Sequence, residues 1–337
     1  MSDVDHVTFT AMLQDVGNYL IFARDTLAII GVIYTTKLVL SFAVKTWSAM
    51  RTYVVPRFWY ARDFSEKYGG SWAVITGASE GLGRSYARKL AKRGMNVFLV
   101  SRNIEKLQKV EDEIRSLYKV DVKCFAMDLC LLSNREEYER LGNEIGKLDV
   151  GLLVNNVGIF YDRLQYFLTV PKETQLKIID LNISATILMT YLVLPYMVQR
   201  KNGAIINIAS IASVHPTPLM TTYSAAKGFV DTFTRALQYE YSSEGVTFQA
   251  VQPGYVSTAM THHAASNFMM VDPDVYAEHA LRTLGVTQRC YGYWFHGLFG
   301  FVGELLPERV YMFCTVYLNP VLYRWLTGLS VSKEKSQ

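Results

Sequence analysis

Short apolar runs alternate with amphipathic stretches between residues 71 and 254 of this 337-residue chain. The runs are apolar almost throughout, as strands buried on both faces of a parallel sheet are. Amphipathic helices are predicted between them, for example over Ser85–Arg93 and Ile104–Tyr118. The predicted strands are Trp72–Thr76, Asn96–Ser101, Val122–Met127, Val150–Asn155, Ala204–Ala209 and Val246–Gln252. This alternation predicts an α/β fold with a doubly wound parallel sheet.

The N-terminal part of the chain does not follow this pattern. Thr26–Thr36 is an uncharged run, and after Lys37 a second apolar run extends over Leu38–Val44. Together they approach the roughly 20 residues that a membrane-spanning helix needs. A lysine at mid-bilayer costs about 2.5 kcal/mol or more unless its amine reaches the interface. We expect a membrane anchor here, with an amphipathic helix lying on the membrane or on the core as the alternative.

Charged residues around this segment bear on its orientation. The basic residues at and beyond its C-terminal end, against Arg24 alone before it, are Lys37, Lys45, Arg51, Arg57 and Arg62. This bias predicts that the bulk of the chain faces the cytosol. Lys333 and Lys335 resemble a dilysine retrieval signal, so we expect the endoplasmic-reticulum membrane; the mitochondrion is the alternative location, and a solvated charged tail is the alternative interpretation of the two lysines.

Two further apolar regions need a different interpretation. Ile183–Met197 is too short to span a bilayer, contains Pro195 and falls between two predicted strands, so it is predicted to be a buried helix. Tyr291–Leu329 is rich in aromatic residues and is interrupted by Pro307 and Pro320. This C-terminal stretch can cap a substrate pocket, press on a membrane or form a partner interface, and the pattern does not choose among these.

Composition narrows the class of function. The formal net charge of +4 is too small to indicate a nucleic-acid partner. The four cysteines are scattered and form no C-x-x-C pair, which is typical of a reducing compartment. The adjacent His262 and His263 point in different directions, so no metal site is expected.

A glycine-rich loop joins the first predicted strand to the first helix. Glycines permit positive φ and a close approach of the backbone to a pyrophosphate, and a helix N-terminus attracts the anion. The spacing is G-x-x-x-G-x-G and differs from the general dinucleotide fingerprint, so a structural turn is the alternative. The candidate cofactor-binding residues in this loop are Gly77, Ser79, Gly81, Leu82 and Gly83.

The end of the second predicted strand bears on the choice of cofactor. Arg102 stands about 20 residues beyond Gly83, where NAD-binding folds place an acid that binds the ribose 2′-hydroxyl. An acid repels a 2′-phosphate, whereas an arginine pairs with it. The sequence therefore favours NADP(H) over NAD(H).

A tyrosine and a lysine supply the candidate chemistry. Tyr223 and Lys227 are four residues apart and share one face of a predicted helix. The lysine charge is expected to lower the pKa of the tyrosine from about 10, which suits a general acid or base acting on a hydroxyl or carbonyl oxygen. Ser210 follows the strand Ala204–Ala209, and the carboxyl ends of parallel strands share one crevice, so Ser210 is expected beside the glycine loop.

These motifs together resemble the short-chain dehydrogenase family over roughly residues 70–285. The resemblance rests on order and spacing, in Gly77/Gly81/Gly83, Asp128, Asn155-Asn156-Val157-Gly158, Asn182, Ser210, Tyr223, Lys227 and Pro253-Gly254. It implies a domain over residues 67–285, between an anchor region (1–66) and an apolar C-terminal extension (286–337). Val157 is a departure, since the family more often has alanine, and is expected to alter packing beside the cofactor.

The resemblance also implies a role for each residue. Tyr223 is the proton donor and acceptor, Lys227 also holds the nicotinamide ribose, Ser210 binds the substrate oxygen and Asn182 anchors a relay water. Asp128 and Asn155 line the adenosine side, and Val256 and Thr258 contact the nicotinamide end. The sequon at Asn182 coincides with the relay asparagine and is attributed to chance.

Within the family the chain is similar to the membrane-anchored branch of 17β-hydroxysteroid dehydrogenases and very-long-chain 3-oxoacyl-CoA reductases, through its apolar N-terminus, Lys67–Ala73 and Ala236–Tyr241. This implies NADP(H)-dependent interconversion of a ketone and a secondary alcohol on a lipid-like substrate, and a homodimer. The apolar residues Met260 and Phe268–Met270 suit a lid over such a substrate, or fill the core. Some members carry phenylalanine at the tyrosine position, so a catalytically silent cofactor-binding scaffold is the alternative function.

Overall fold

The computed structural model describes residues 3–57, 64–130 and 135–328. Arg62, Lys333 and Lys335 lie outside these ranges. The predicted dilysine signal therefore falls outside the described residues, as does the contribution of Arg62 to the charge bias. The chain divides into two compact units, Met1–Arg51 and Thr52–Gln337. The domain boundaries expected from the sequence remain a prediction.

A single long helix dominates the first unit. Helix α1 (Asp3–Tyr53) contains a 44-residue stretch, Thr10–Tyr53, that is long and apolar enough to cross a membrane. At 1.5 Å per residue this stretch exceeds the roughly 30 Å of a bilayer core. The large side chains at positions 27, 29, 30, 32, 33 and 34 are all exposed and, at 100° per residue, cover more than half of the helix circumference, and the remaining sector holds the uncharged Ala28, Gly31 and Thr35. The segment therefore lacks the polar face of an amphipathic helix.

The second unit is built on a seven-stranded sheet in the order β3-β2-β1-β4-β5-β6-β7, with every pair parallel. The strands are β1 (Trp72–Thr76), β2 (Asn96–Ser101), β3 (Val122–Ala126), β4 (Val150–Asn155), β5 (Gly203–Ile208), β6 (Val246–Val251) and β7 (Arg289–Cys290). The strand order reverses between β1 and β4, which defines a doubly wound Rossmann sheet. The predicted fold class is confirmed.

The helices cover both faces of the sheet and continue beyond it. They are α2 (Phe64–Tyr68), α3 (Gly81–Ala91), α4 (Ile104–Leu117), α5 (Arg135–Ile145), α6 (Lys172–Ile179), α7 (Ala185–Arg200), α8 (Thr221–Glu240), α9 (Pro273–Arg282), α10 (Trp294–Leu305), α11 (Glu308–Tyr317) and α12 (Asn319–Thr327). Two apolar cores lie on opposite faces of the sheet, because alternate side chains of each strand point to opposite sides.

The predicted elements match the structure closely. Strands β1, β2 and β4 begin and end as expected, β3 and β6 differ by one residue at one end, and β5 differs by one residue at both ends. The short strand β7 was missed, because two residues carry no readable alternation. The apolar run Ile183–Met197 is indeed a core helix: Met189, Val193 and Met197 of α7 are buried against the sheet.

Helix α10 attaches the C-terminal extension to the rest of the unit. Gly297 and Gly300 stand three residues apart on one face, and a Cβ at Gly300 would lie 2.2 Å from the ring of Tyr291. At Gly297 a Cβ would lie 2.9 Å from the ring of Tyr53. Only glycine admits two aromatic rings this close to a helix backbone. We call α10, α11 and α12 the C-terminal cap.

Candidate active site

A cleft with a volume of about 420 Å³ opens where the strand order reverses, at the carboxyl ends of the strands. The glycine loop forms one wall. Gly77 and Gly81 have φ of +64° and +57°, a region that favours glycine. A Cβ on Gly83 would lie 2.2 Å from the carbonyl oxygen of Gly77, so the turn closes only around glycine. This geometry leaves the N-terminus of α3 open to a phosphate.

A hydrogen-bonded brace holds this loop against β4. Asn156 donates through Nδ2 to the carbonyl oxygen of Thr76 (2.9 Å), and Thr76 Oγ1 accepts from the backbone N–H groups of Asn156 and Val157, both at 3.0 Å. Asn156 also lines the cleft. The structure does not bring Asn155 there: its buried amide donates to Asn207 Oδ1 (2.8 Å), because neighbouring residues on a strand face opposite ways. Asn155 was expected at the adenosine side of the site, but it does not line the cleft, whereas Asn156 does.

The adenosine end of the cleft offers both a cation and an acid. Arg102 is exposed, lines the cleft and makes no ion pair with the described residues. The nearby acid Glu80 is paired instead with Lys106, at 2.7 Å. Ser79 Oγ lies 2.9 Å from Ser101 Oγ, which ties the glycine loop to the end of β2. Asp128 also lines the cleft.

The segment after Pro253-Gly254 closes the other end of the cleft. Val256 is buried and forms a β-bridge with Val271. The methyl of Thr258 lies 3.1 Å from the position that a Cβ on Gly81 would occupy, so this segment packs across the glycine loop. Thr258, Val256 and Leu82 all line the cleft, as expected.

The four predicted catalytic residues come from three separate elements and meet in one place. Tyr223 and Lys227 are buried on α8, and Ser210 lies two residues beyond β5. Lys227 Nζ lies 5.8 Å from the centre of the Tyr223 ring and donates to the carbonyl oxygen of Ile208 at 2.8 Å. Ser210 hydrogen-bonds the hydroxyl of Tyr223. The helical spacing and the end of the strand therefore converge as predicted.

Asn182 reaches the same place from a π-helical turn over Asp180–Ser184. Such turns occur often at functional sites. The Nδ2 of Asn182 donates to the carbonyl oxygens of Ile159 (3.0 Å) and Ile178 (2.9 Å), while its buried Oδ1 has no hydrogen-bond partner in the described part of the chain. A Cβ at Gly158 would lie 2.5 Å from this Oδ1 and 3.3 Å from Lys227 Nζ, so glycine keeps a small space open between them.

The ionisation of the pair differs from the expectation. Burial raises the pKa of Tyr223 to about 12, and the hydrogen bond from Ser210 offsets only part of this rise. Burial also lowers the pKa of Lys227 to about 8. The expectation that Lys227 lowers the pKa of Tyr223 below 10 is therefore wrong for the protein alone, since loss of solvent outweighs an ammonium group whose hydrogen bond goes to Ile208. At neutral pH the phenol is protonated and the lysine is charged.

A second, apolar cavity of about 380 Å³ begins at the same hydroxyl groups. Ser210 and Tyr223 line both this cavity and the cleft. The C-terminal cap supplies most of the far wall, through Phe299, Val302, Leu306, Tyr311, Cys314, Thr315, Leu318, Leu322 and Tyr323. Of the three roles left open for this extension, the structure therefore shows that of a pocket cap. None of the described residues that line the cavity carries a charged side chain.

The apolar loop expected to act as a lid contributes less than predicted. Met260 lines the cavity, but Met270 is fully buried in the core and Phe268 packs edge-on against Phe295 of the cap at 5.1 Å. His296 of α10 fixes this loop. Its Nδ1 accepts from the N–H of Gly254 (3.2 Å) and its Nε2 faces the carbonyl oxygen of Met269 (3.3 Å).

His296 was not among the residues predicted for the site. Burial lowers its pKa to about 4, so the ring is neutral, with its proton on Nε2. A lone histidine within an aromatic run carries no signal of its own, because the Gly254 and Met269 groups that it joins are distant in sequence.

The site and the fold agree with the similarity of this chain to known proteins. The family model described as "short chain dehydrogenase" matches residues 71–267, more than half of the chain. The chain belongs to the short-chain dehydrogenase family.

Two relatives confirm the predicted branch. "Inactive hydroxysteroid dehydrogenase-like protein 1" of Homo sapiens is 39% identical over 325 residues, covering 95% of this chain and 96% of the relative. "Very-long-chain 3-oxoacyl-CoA reductase" of Bos taurus is 40% identical over 266 residues, covering 78% and 84%. One similar relative is thus named inactive and another is named for a reductase activity.

Solved structures support the same fold. A short-chain dehydrogenase from Sphingobium yanoikuyae in complex with NADPH has a TM-score of 0.57 and 29% identity, covering 62% of this chain and 82% of the other. A 7β-hydroxysteroid dehydrogenase has a TM-score of 0.68, covering 75% of this chain and 99% of the other. Because its sequence identity is 24%, this similarity supports the fold alone.

Proposed function

We propose that this protein is an NADP(H)-dependent oxidoreductase that interconverts a ketone and a secondary alcohol on a lipid-like substrate. The observation that carries the proposal is the shared position of Ser210 and Tyr223, which line both the polar cleft and the apolar cavity. A carbonyl held at these two hydroxyls has its apolar body in the cavity and its carbon facing the cleft. Steroids and long-chain 3-oxoacyl thioesters both meet this description.

The residues of the cleft fit a nicotinamide dinucleotide, which supplies a hydride when bound. The glycine loop and the N-terminus of α3 would hold its pyrophosphate, and Lys227 and Thr258 its nicotinamide end. Arg102 supports the choice of NADP(H), because it is exposed in the cleft and not engaged by an acid. The NADPH complex of the Sphingobium relative is consistent with this choice.

The proton chemistry follows from the pKa values. A phenol whose pKa is about 12 stays protonated at neutral pH and donates to a carbonyl oxygen that gains charge. Ser210 holds that oxygen through a hydrogen bond, and the charged Lys227 stabilises the phenolate that remains. Asn182 Oδ1 would hold a water beside Lys227, through which the phenol regains its proton. In the reverse direction the same groups take the proton from a secondary alcohol.

A catalytically silent, cofactor-binding scaffold is the second candidate. Its support is the word "inactive" in the name of the human relative. The convergence of Asn182, Ser210, Tyr223 and Lys227 argues against it. Burying the amine of Lys227 and the unpaired amide oxygen of Asn182 destabilises the fold, and a protein without catalytic activity has no need of this arrangement.

The test is NADPH consumption by vesicles that hold the full-length protein. Steroid ketones and 3-oxoacyl thioesters of increasing chain length form the panel, and vesicles with a Tyr223→Phe protein give the background. We expect consumption with at least one class, lost in the variant. A wild-type protein that binds NADPH and reduces nothing in the panel would establish the scaffold instead.

We also propose that α1 anchors the protein in the endoplasmic-reticulum membrane, with residues 52–337 in the cytosol. The support is the exposed and uncharged surface of α1 over residues 27–34 and the basic residues Lys45 and Arg51 near its end. Protease added to intact microsomes should digest the catalytic unit. Full protection in sealed vesicles, lost on adding detergent, would reverse this orientation.

A further inference from the structure

The C-terminal cap is apolar on its outer side as well as on the side that faces the cavity. In α11, Tyr311, Cys314 and Thr315 line the cavity, while Val310, Phe313 and Tyr317, spaced three and four residues apart, are exposed. In α12, Val321 and Trp325 are exposed and Leu322 and Tyr323 face inward. Helix α10 also has exposed large apolar side chains, at Trp294, Leu298 and Leu305. A soluble protein rarely leaves so many large apolar side chains in water.

This outer face is continuous with the mouth of the cavity. Phe299, Val302 and Leu318 line the cavity and are each about half exposed. They therefore form a rim at which the apolar interior meets the apolar exterior. A substrate that dissolves in hydrocarbon can cross this rim without passing through water.

The charges and aromatic residues of the face fit a bilayer surface. Arg309 and Arg324 are exposed and make no ion pair with the described residues, while Glu308 is the single acid on α11 and α12. Basic residues beside an apolar face attract anionic lipid headgroups, and tryptophan and tyrosine favour the membrane interface. A second copy of the chain on this face would instead close the rim.

We propose that the outer face of the C-terminal cap lies in the cytosolic leaflet of a membrane containing anionic lipid, and that the cavity takes its substrate directly from that leaflet. The route of entry rests on the proposed function, whereas contact with the lipid does not.

The test places single cysteines in the full-length protein in phosphatidylcholine–phosphatidylserine vesicles. Val321→Cys and Trp325→Cys report on the face, and Tyr239→Cys on α8, exposed at 77% against 67% and 68% for the other two, is the control. A charged maleimide that cannot cross the membrane should label positions 321 and 325 about tenfold more slowly than position 239, because lipid covers them. Labelling at the same rate as position 239 overturns the proposal. Protection that disappears as the protein is diluted in lipid assigns the face to a second copy and also overturns it.

A separate measurement tests the route of entry. Trp325→Glu puts a charge on the face without touching the cavity lining. It should raise KM for a ketone dissolved in the vesicles and leave KM for a small water-soluble ketone unchanged. An unchanged KM for the dissolved ketone overturns the route. Maleimide labelling needs no turnover, so it tests the contact with lipid even if the protein reduces no ketone. The lipid contact and the proposed function can therefore be contradicted independently.

Discussion

The cofactor cleft and the apolar cavity share Ser210 and Tyr223 but are built in opposite ways. The cleft lies at the ends of strands, where three glycines and an asparagine brace fix the shape of the turn before α3. The cavity is lined about equally by residues that follow the strands and by residues 299–323, far along the chain from the sheet. A charged cofactor is recognised by fixed N–H groups and a cation, whereas an apolar substrate is selected by volume and shape.

This division predicts which substitutions act on one region alone. We call the place where the cleft meets the cavity, at Ser210 and Tyr223, the junction. Substitution of Tyr223 at the junction is expected to have the largest effect, followed by substitution of Arg102, then of Gly83 and finally of Lys227.

Tyr223→Phe should have the largest effect, because it removes the proton at the junction and keeps the ring and its edge contact with Phe160. Turnover should fall by about a hundredfold or more, with NADPH affinity nearly unchanged. Steady-state kinetics and cofactor titration measure the two effects. Undiminished ketone reduction by this variant would remove Tyr223 from the chemistry, and an equal loss of NADPH affinity would show that the cleft and the junction are not separable.

Arg102→Glu should act on the cleft alone. Loss of a charge-assisted contact with a 2′-phosphate costs about 1.5–3 kcal/mol of NADPH affinity. NADH should lose far less, and KM for the ketone should stay the same at saturating cofactor. Fluorescence titration with both cofactors makes the comparison. Equal weakening of NADPH and NADH would assign Arg102 a structural role.

Two glycines compare the rigidity of the two regions. Gly83→Ala puts a Cβ 2.2 Å from a backbone oxygen that cannot move aside, and should cost about 1–3 kcal/mol of stability together with cofactor affinity. In the cap, Gly303→Ala meets only the ring of Tyr311 at 3.4 Å and should be neutral or stabilise α10 by up to about 1 kcal/mol. Urea unfolding of both proteins decides, and equal losses would contradict the contrast.

The smallest effect concerns Lys227. Because burial lowers its folded pKa to about 8 from 10.5, the unfolded chain binds more protons between these values. The free energy of unfolding should therefore gain a contribution from this group as pH rises through that window. Lys227→Met should lack this contribution and, at pH 7, be more stable by about 1 kcal/mol, since it buries no charge. A variant less stable than wild type at pH 7 would show that the bond to Ile208 outweighs desolvation.

Much of the cleft was predictable because its signals are local. The glycine loop, Arg102 and the Tyr223–Lys227 pair each follow from spacing within one strand end or one helix turn, and the structure places all of them at the cleft. Asn155 was misplaced, since two adjacent asparagines on a strand end look alike in sequence and the pleat sends only Asn156 to the cleft. The pKa of Tyr223 was also misjudged, because burial depends on residues from several elements.

The parallel sheet, the family and the side chains that meet at the candidate site were all predictable from the amino-acid sequence, because apolar runs, glycine spacing and helix periodicity are properties of neighbouring residues. The role of the C-terminal extension, the place of His296 and the meeting of the cleft with the cavity became visible in the folded structure alone. Each of these depends on contacts between segments far apart in the chain. The positions of such segments depend on packing around the whole core, so they cannot be predicted from the pattern of neighbouring residues.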